Sequence, residues 1–195
     1  KQEELKSTHT IRKACDFYMR TPKFCALGGK SQYDYNRNLS FACNTSVQGG
    51  KYLGNIKLKD IQFSHVTVAY DYWRVKHGVR AANYIATCLS IVFNTARRHN
   101  ALLSNPVSLL DRAKPKPRKV KWTTPQVKQF LDTAYSNWEW RSIGLIVHMA
   151  FHWAQRIGDM RLLEWKALDL NKGVLDLEQS KRGADVHLPI QGGLL

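Results

Sequence analysis

Arg156 follows a strongly apolar run, RSIGLIVHMAFHWA (141–154), and Asp159 comes three residues later. A guanidinium at such a place cannot be buried without an anionic partner. Asp159 can supply that partner and fix the planar fork, so a purely structural Arg–Asp pair is one possibility. The other is an arginine held ready to grip a phosphate through two parallel hydrogen bonds. Lys181 lies in the turn Ser180-Lys181-Arg182-Gly183, where a long amine is either simply solvated or able to reach a substrate. Other chemistries have less behind them. His148 and His152 have the four-residue spacing of helical metal ligands. Their segment is apolar and offers no third ligand nearby, so core histidines and no metal site are expected. Cys15, Cys25, Cys43 and Cys88 have no C-x-x-C spacing and fit reduced thiols of a cytoplasmic protein. Phosphate-loop, dinucleotide-fingerprint and zinc-protease motifs are absent from the sequence.

Several elements must position these groups. Apolar periodicity predicts a helix over 7–22, ended by Pro22, and a more mixed one over 31–47. A further helix is expected over 60–77, stopped by Gly78. The clearest lies over 79–100, with Ala81, Tyr84, Ile85, Cys88, Leu89, Val92 and Ala96 in one stripe. Arg80, Asn83, Arg97 and Arg98 sit elsewhere around that helix or near its ends, and are candidates for contacting a partner. Asn105-Pro106 signals a turn. Thr123-Thr124-Pro125-Gln126 has the spacing of a capping box and opens another helix. The run 141–154 is apolar nearly all round, which predicts a buried central helix. A short helix is expected around 159–165. Residues 173–179 and 185–190 read as two strands of a hairpin carrying Lys181 at its tip.

The 195 residues carry 30 Lys+Arg against 15 Asp+Glu, a formal net charge of +15, and their apolar fraction of 44% can fill a core. Such a surplus on a folded chain attracts polyanions, nucleic acid first. The charge is not spread evenly. Residues 1–122 hold 22 Lys/Arg and 7 Asp/Glu, whereas 123–195 hold 8 of each. Between the halves runs DRAKPKPRKVKW (111–122), whose prolines favour an extended chain. Lys114, Lys116, Arg118, Lys119 and Lys121 could lie there along a phosphate backbone, releasing counterions. The expected organisation is a helical, polyanion-binding domain over 1–110, a basic linker over 111–122 and a second domain over 123–195. No stretch is apolar enough for a transmembrane helix, and the polar start is no signal peptide.

Residues 150–190 resemble the first half of the catalytic domain of tyrosine recombinases, the phage integrase family. The family pattern runs from a small residue and Arg to Glu/Asp, Leu-x-Trp, Asp, a Gly-led strand, Lys in a β-turn and a strand ending in Pro. Arg156, Asp159, Trp165, Asp169, Gly173, Lys181 and Pro189 stand in that order here. TTPQVKQFLDTA resembles the family's first catalytic-domain helix, and residues 80–110 resemble the last helices of its core-binding domain. The likeness covers roughly 60–190.

The resemblance implies a mainly α fold with a small β-hairpin or sheet. A helical, SAM-like core-binding domain would be followed by the first part of an α+β catalytic domain, the two clamping duplex DNA. It implies that Arg156 binds the scissile phosphate, that Asp159 supports Arg156 from behind, and that Lys181 protonates the departing 5′ oxygen. The family's nucleophile is a tyrosine forming a 3′-phosphotyrosyl link, with no cofactor, metal or ATP. Nothing after Lys181 supplies the family's His-x-x-Arg or its tyrosine. The chain is therefore expected to bind DNA without cleaving it, as a piece of an integrase that acts as a homotetramer on paired core or attachment sites. By the same resemblance it is cytoplasmic and DNA-associated, in a bacterial cell or phage-infected host. A non-catalytic DNA-binding regulator built on the fold and a generic basic RNA-binding protein are the alternatives.

Overall fold

The computed structural model describes residues 4–117, 119–181 and 183–190. The chain divides into two compact units, Lys1–Pro117 and Arg118–Leu195.

The first unit is helical. Helix α1 (Ile11–Met19) is capped by the Thr10 hydroxyl, and α2 (Pro22–Cys25) opens on Pro22. The expected helix over 7–22 is thus shorter, and Pro22 begins an element as well as ending one. A proline fits the first helical turn, where an N–H has no partner to lose. Helix α3 spans Gly29–Cys43. Three short 3₁₀ turns lead to α4 (Phe63–Arg98), which breaks at Gly78 (φ 80°, ψ 166°). That backbone region is essentially reserved for glycine. The Tyr70 hydroxyl donates to Asn83 Oδ1 at 2.7 Å. Along a straight helix these residues would be about 20 Å apart, so the chain turns back sharply at Gly78. Most of the apolar stripe read from the sequence then faces inward, but Ala81 is only half-buried and Tyr84 is 39% exposed. Ile85, Cys88, Leu89, Val92, Phe93 and Ala96 are buried against Ile11, Tyr18, Leu39 and Trp73. The Trp73 indole N–H donates to the Thr45 hydroxyl at 2.8 Å, so the largest core side chain buries no orphan donor.

The second unit begins with α5 (Thr124–Ser136), where Thr123 and Gln126 form the expected capping box. It packs against α6 (Arg141–Trp153). The contact is close at Gly144, where a Cβ would stand 2.9 Å from that of Ala134. Helix α7 spans Ile157–Arg161, earlier and shorter than the helix expected around 159–165; Trp165–Ala167 is a 3₁₀ turn instead. Three antiparallel strands follow in the order β1 (Leu168–Asp169), β2 (Val174–Gln179), β3 (Ala184–Pro189). Leu175 pairs with Leu188 and Leu177 with Val186. Alternate residues therefore share a face, and Leu175, Leu177 and Leu188 meet Trp153 and Met160 in a small core.

The expectation that 141–154 is buried all round is corrected. Gly144 and Trp153 are the buried residues of α6, whereas Ile143 and Phe151 are 54% and 52% exposed. Among the described residues α5 covers one side of the helix, while α7 and the sheet cover only its C-terminal end. Among the described residues the remaining apolar flank has no neighbour to pack on. Periodicity reports what a helix could bury, not how many partners it has. Among the described residues no helix is long and apolar enough to cross a membrane.

Candidate functional site

The end of α6 sets the position of Arg156. The Trp153 indole donates to the Pro189 carbonyl at 3.0 Å, pinning the helix end to β3. Ala154 then adopts a left-handed conformation (φ 50°, ψ 28°), which turns the chain. This region is costly for a residue with a Cβ. Gln155 folds back onto the Trp153 carbonyl, and Arg156 caps α7, its own carbonyl accepting from Asp159 and Met160 N–H.

The Arg156 side chain is 43% exposed while that of Asp159 is 1% exposed, and they stand 3.6 Å apart, Nη1 to Oδ2. Nη1 also donates to Gln179 Oε1 at 3.3 Å, and the Gln179 amide donates to Gln155 Oε1 at 2.6 Å. The second Asp159 oxygen accepts from both the hydroxyl and the backbone N–H of Ser180. These contacts hold the Asp159 carboxyl below its ordinary range. The Ser180 hydroxyl contributes most; the Ser180 N–H and the Arg156 charge act in the same direction and burial opposes them. Lys181 follows Ser180 directly, exposed in the turn between β2 and β3. The structure thus brings the Arg156–Asp159 pair to the base of the Lys181 turn. A guanidinium paired on one side and exposed on the other can meet an oxyanion with little reorganisation.

At the end of the sheet away from the Lys181 turn, Asp169 accepts from the N–H groups of Asn171 and Lys172 and pairs with the Lys172 ammonium at 3.2 Å. It shapes the turn into β2, where Gly173 has φ 65°. Trp165 is 84% exposed. His148 accepts or donates at 3.0 Å to the Tyr135 hydroxyl and stacks near His152, and burial lowers its pKa. The Tyr135 contact places His148 against α5.

In the first unit Arg80, Arg97 and Arg98 are exposed on the second half of α4. Arg80 and Arg98 are roughly five turns, or about 27 Å, apart on one face. Asn83 has a structural task that its sequence position did not announce. Its amide donates to the Ala113 carbonyl at 2.9 Å while its oxygen accepts from Tyr70. The Ala113 N–H returns to the Tyr70 hydroxyl at 3.0 Å, and Arg112 donates to the Thr87 hydroxyl at 2.8 Å. Further along, the Asn105 amide reaches Ser90 and Asn94. Residues 105–113 therefore run antiparallel along α4 as a strap. With both ends of its amide engaged, Asn83 holds the strap. Lys114, Lys116, Lys119 and Lys121 are exposed beyond that anchor; Arg118 lies outside the described residues.

The residues missed from sequence are those that hold rather than act: Gln155, Gln179 and Ser180 around Arg156, and Tyr70 and Arg112 beneath the strap. Only Ser180 carried a signal, as a small hydroxyl donor directly before Lys181.

The chain is 26% identical over 137 residues to the integrase of Enterobacteria phage 434, covering 70% of this chain and 37% of that protein. It is 27% identical over 133 residues to the integrase of Escherichia phage HK022, covering 68% and 36%. The chain is related to the phage integrases. It spans just over a third of the length of these relatives. No protein-family model matches it. Among solved structures, a lambda integrase dimer bound to a COC′ core site superposes with a TM-score of 0.76 at 22% identity, over 92% of this chain and 48% of that one. A lambda integrase tetramer bound to a Holliday junction gives 0.78 at 21%, over 94% and 51%. The integrase of transposon Tn1549, in complex with circular intermediate DNA, gives 0.75 at 16%, over 95% and 62%. The fold is therefore that of these integrases: a mainly helical unit followed by an α+β unit with a small antiparallel sheet.

Proposed function

We propose that the chain is the DNA-binding part and the beginning of the catalytic part of a site-specific tyrosine recombinase. The carrying observation is the half-exposed Arg156, ion-paired with buried Asp159 and hydrogen-bonded to half-buried Gln179 beside the Lys181 turn. In this proposal the unit Lys1–Pro117 holds duplex DNA through its basic surface, Arg80, Arg97 and Arg98 included. Lys114, Lys116, Arg118, Lys119 and Lys121 follow the phosphate backbone. Arg156 binds the non-bridging oxygens of the scissile phosphate. Asp159 keeps its fork oriented. A tyrosine oxygen forms the new bond to phosphorus, the bond to the 5′ oxygen breaks, and the Lys181 ammonium gives its proton to that oxygen. No His-x-x-Arg or tyrosine of this kind follows Lys181 in the 195 residues, so chemistry is tested on the protein as its gene encodes it. The DNA-bound dimer and tetramer of lambda integrase support assembly on DNA as part of the same proposal.

The test separates binding from chemistry. Arg156→Ala leaves duplex affinity within about threefold, since one of many phosphate contacts is lost, and abolishes strand cleavage. Retained cleavage by that variant removes Arg156 from the reaction. RNA competing as well as duplex DNA would favour a generic basic protein. A gene with neither His-x-x-Arg nor the tyrosine would favour a non-catalytic regulator.

A further inference from the structure

Arg156 and Lys181 belong to different elements, and the chemistry proposed above needs them at one phosphate. Three consecutive hairpin residues make the link. Gln179 accepts from Arg156, Ser180 donates to Asp159, and Lys181 carries the exposed amine. Asp159 sits between them. One of its oxygens takes both Ser180 donors and the other faces the Arg156 guanidinium.

Resting on the proposed function, we propose that Ser180 is a positioning residue. Through the Asp159 carboxylate it fixes the Lys181 turn relative to Arg156, so that both cations meet the same phosphate. The hydroxyl does most of this holding, because the backbone N–H reaches the carboxylate only at 3.4 Å, a long bond. A buried carboxylate needs such donors: Asp159 is 4% exposed, and the charged group beside it is Arg156. Without the hydroxyl the carboxylate keeps Arg156 but holds the hairpin tip only through the long Ser180 N–H contact. Serine suits the place, being short enough to sit in the turn and able to donate. Threonine retains that ability; alanine does not.

The experiment compares Ser180→Ala, Ser180→Thr, Lys181→Ala and Arg156→Ala in the protein as its gene encodes it. Single-turnover cleavage is measured on duplexes whose leaving group is the natural 5′ oxygen or a bridging sulfur, which departs without a proton. Ser180→Ala is expected to bind duplex DNA as the unmodified protein does. It is expected to cleave the oxygen substrate about 10- to 100-fold more slowly, part of what a general acid contributes, and to recover on the sulfur substrate. Ser180→Thr restores the oxygen rate. The Asp159 carboxyl, followed by carbon NMR, titrates closer to an ordinary aspartate in Ser180→Ala and stays low in Ser180→Thr. An unchanged rate in Ser180→Ala, or a loss that sulfur does not recover, overturns the positioning role while leaving the proposed function intact. Normal cleavage by Lys181→Ala and Arg156→Ala, or none by the unmodified protein, instead overturns the proposed function and this role with it.

Discussion

The side-chain amide of Asn83 donates to the main-chain carbonyl of Ala113 at 2.9 Å, tying the start of the basic segment to the middle of α4. The Tyr70 hydroxyl completes the triangle by giving its proton to Asn83 and accepting the Ala113 N–H. Tyr70 is 2% exposed, so few alternative partners exist for the groups it serves. Tyr70→Phe keeps the ring and strands two polar groups. It is expected to cost about 1–3 kcal/mol, read as a lower urea midpoint with unchanged slope. It also frees residues 111–113, which gain amide exchange relative to the rest of the first unit.

Gly78 carries the sharp turn of α4. At φ 80° and ψ 166° any Cβ is strained, although the space around it is open. Gly78→Ala is therefore expected to lose about 1–3 kcal/mol through backbone strain alone. Calorimetry of the first unit's transition checks this. A neutral or stabilising effect would mean that the turn relaxes into continuous helix, which the Tyr70–Asn83 hydrogen bond forbids.

What the sequence made legible follows the range of the physics. The Thr123–Gln126 capping box, the break at Gly78 and the inward stripe Ile85–Leu89–Val92–Ala96 are local patterns, and each is found in the structure. The same holds for the hairpin and the Arg156–Asp159 pair, three residues apart. Partners distant in sequence were not legible. Nothing in the run 141–154 tells how many elements cover it, so its exposed flank at Ile143 and Phe151 was invisible. Asn83 looked like a polar residue free on a helix because its partner, Ala113, is 30 residues away. Gln155, Gln179 and Ser180 acquire meaning only once the hairpin folds onto α7. Strand β1, two residues long, is too short for any alternation to register.

The Asp159 contacts make the second unit's stability depend on acid. Its carboxyl is lowered on folding, foremost by the Ser180 hydroxyl. A carboxyl lowered on folding contributes stability that is present above its unfolded pKa of about 3.9. That contribution is lost as pH falls through the folded value. Asp169 is lowered as well, chiefly by the Lys172 N–H, and acts with the same sign. Denaturant midpoints of the second unit are thus expected to fall a little as pH drops through the unfolded histidine value of about 6.5, because burial lowers His148, and to drop further below about pH 4, through the ordinary carboxylate range. Asp159→Asn flattens part of that drop and Asp169→Asn another part. An acid limb unchanged in Asp159→Asn would mean that its contacts are equally present in the unfolded chain.

The strap also decides where the basic segment can act. Arg112 is committed to Thr87 and Ala113 to Tyr70 and Asn83, so free reach begins at Lys114. The lysines beyond it, Lys114, Lys116, Lys119 and Lys121, are exposed and alternate with prolines or apolar residues that keep the chain extended. Each that neutralises a phosphate releases counterions, so its removal lowers the slope of log affinity against log salt by about 0.9. Replacing Lys114 and Lys116 by glutamine should therefore flatten the slope by up to about 1.8, measured by anisotropy with labelled duplex at several salt concentrations. Arg112→Gln offers the contrast. Its guanidinium is bound to Thr87, so its loss should loosen the strap and weaken binding at every salt concentration while leaving the slope nearly unchanged. Equal slope changes in both variants would mean that Arg112 leaves Thr87 for a phosphate when DNA is bound.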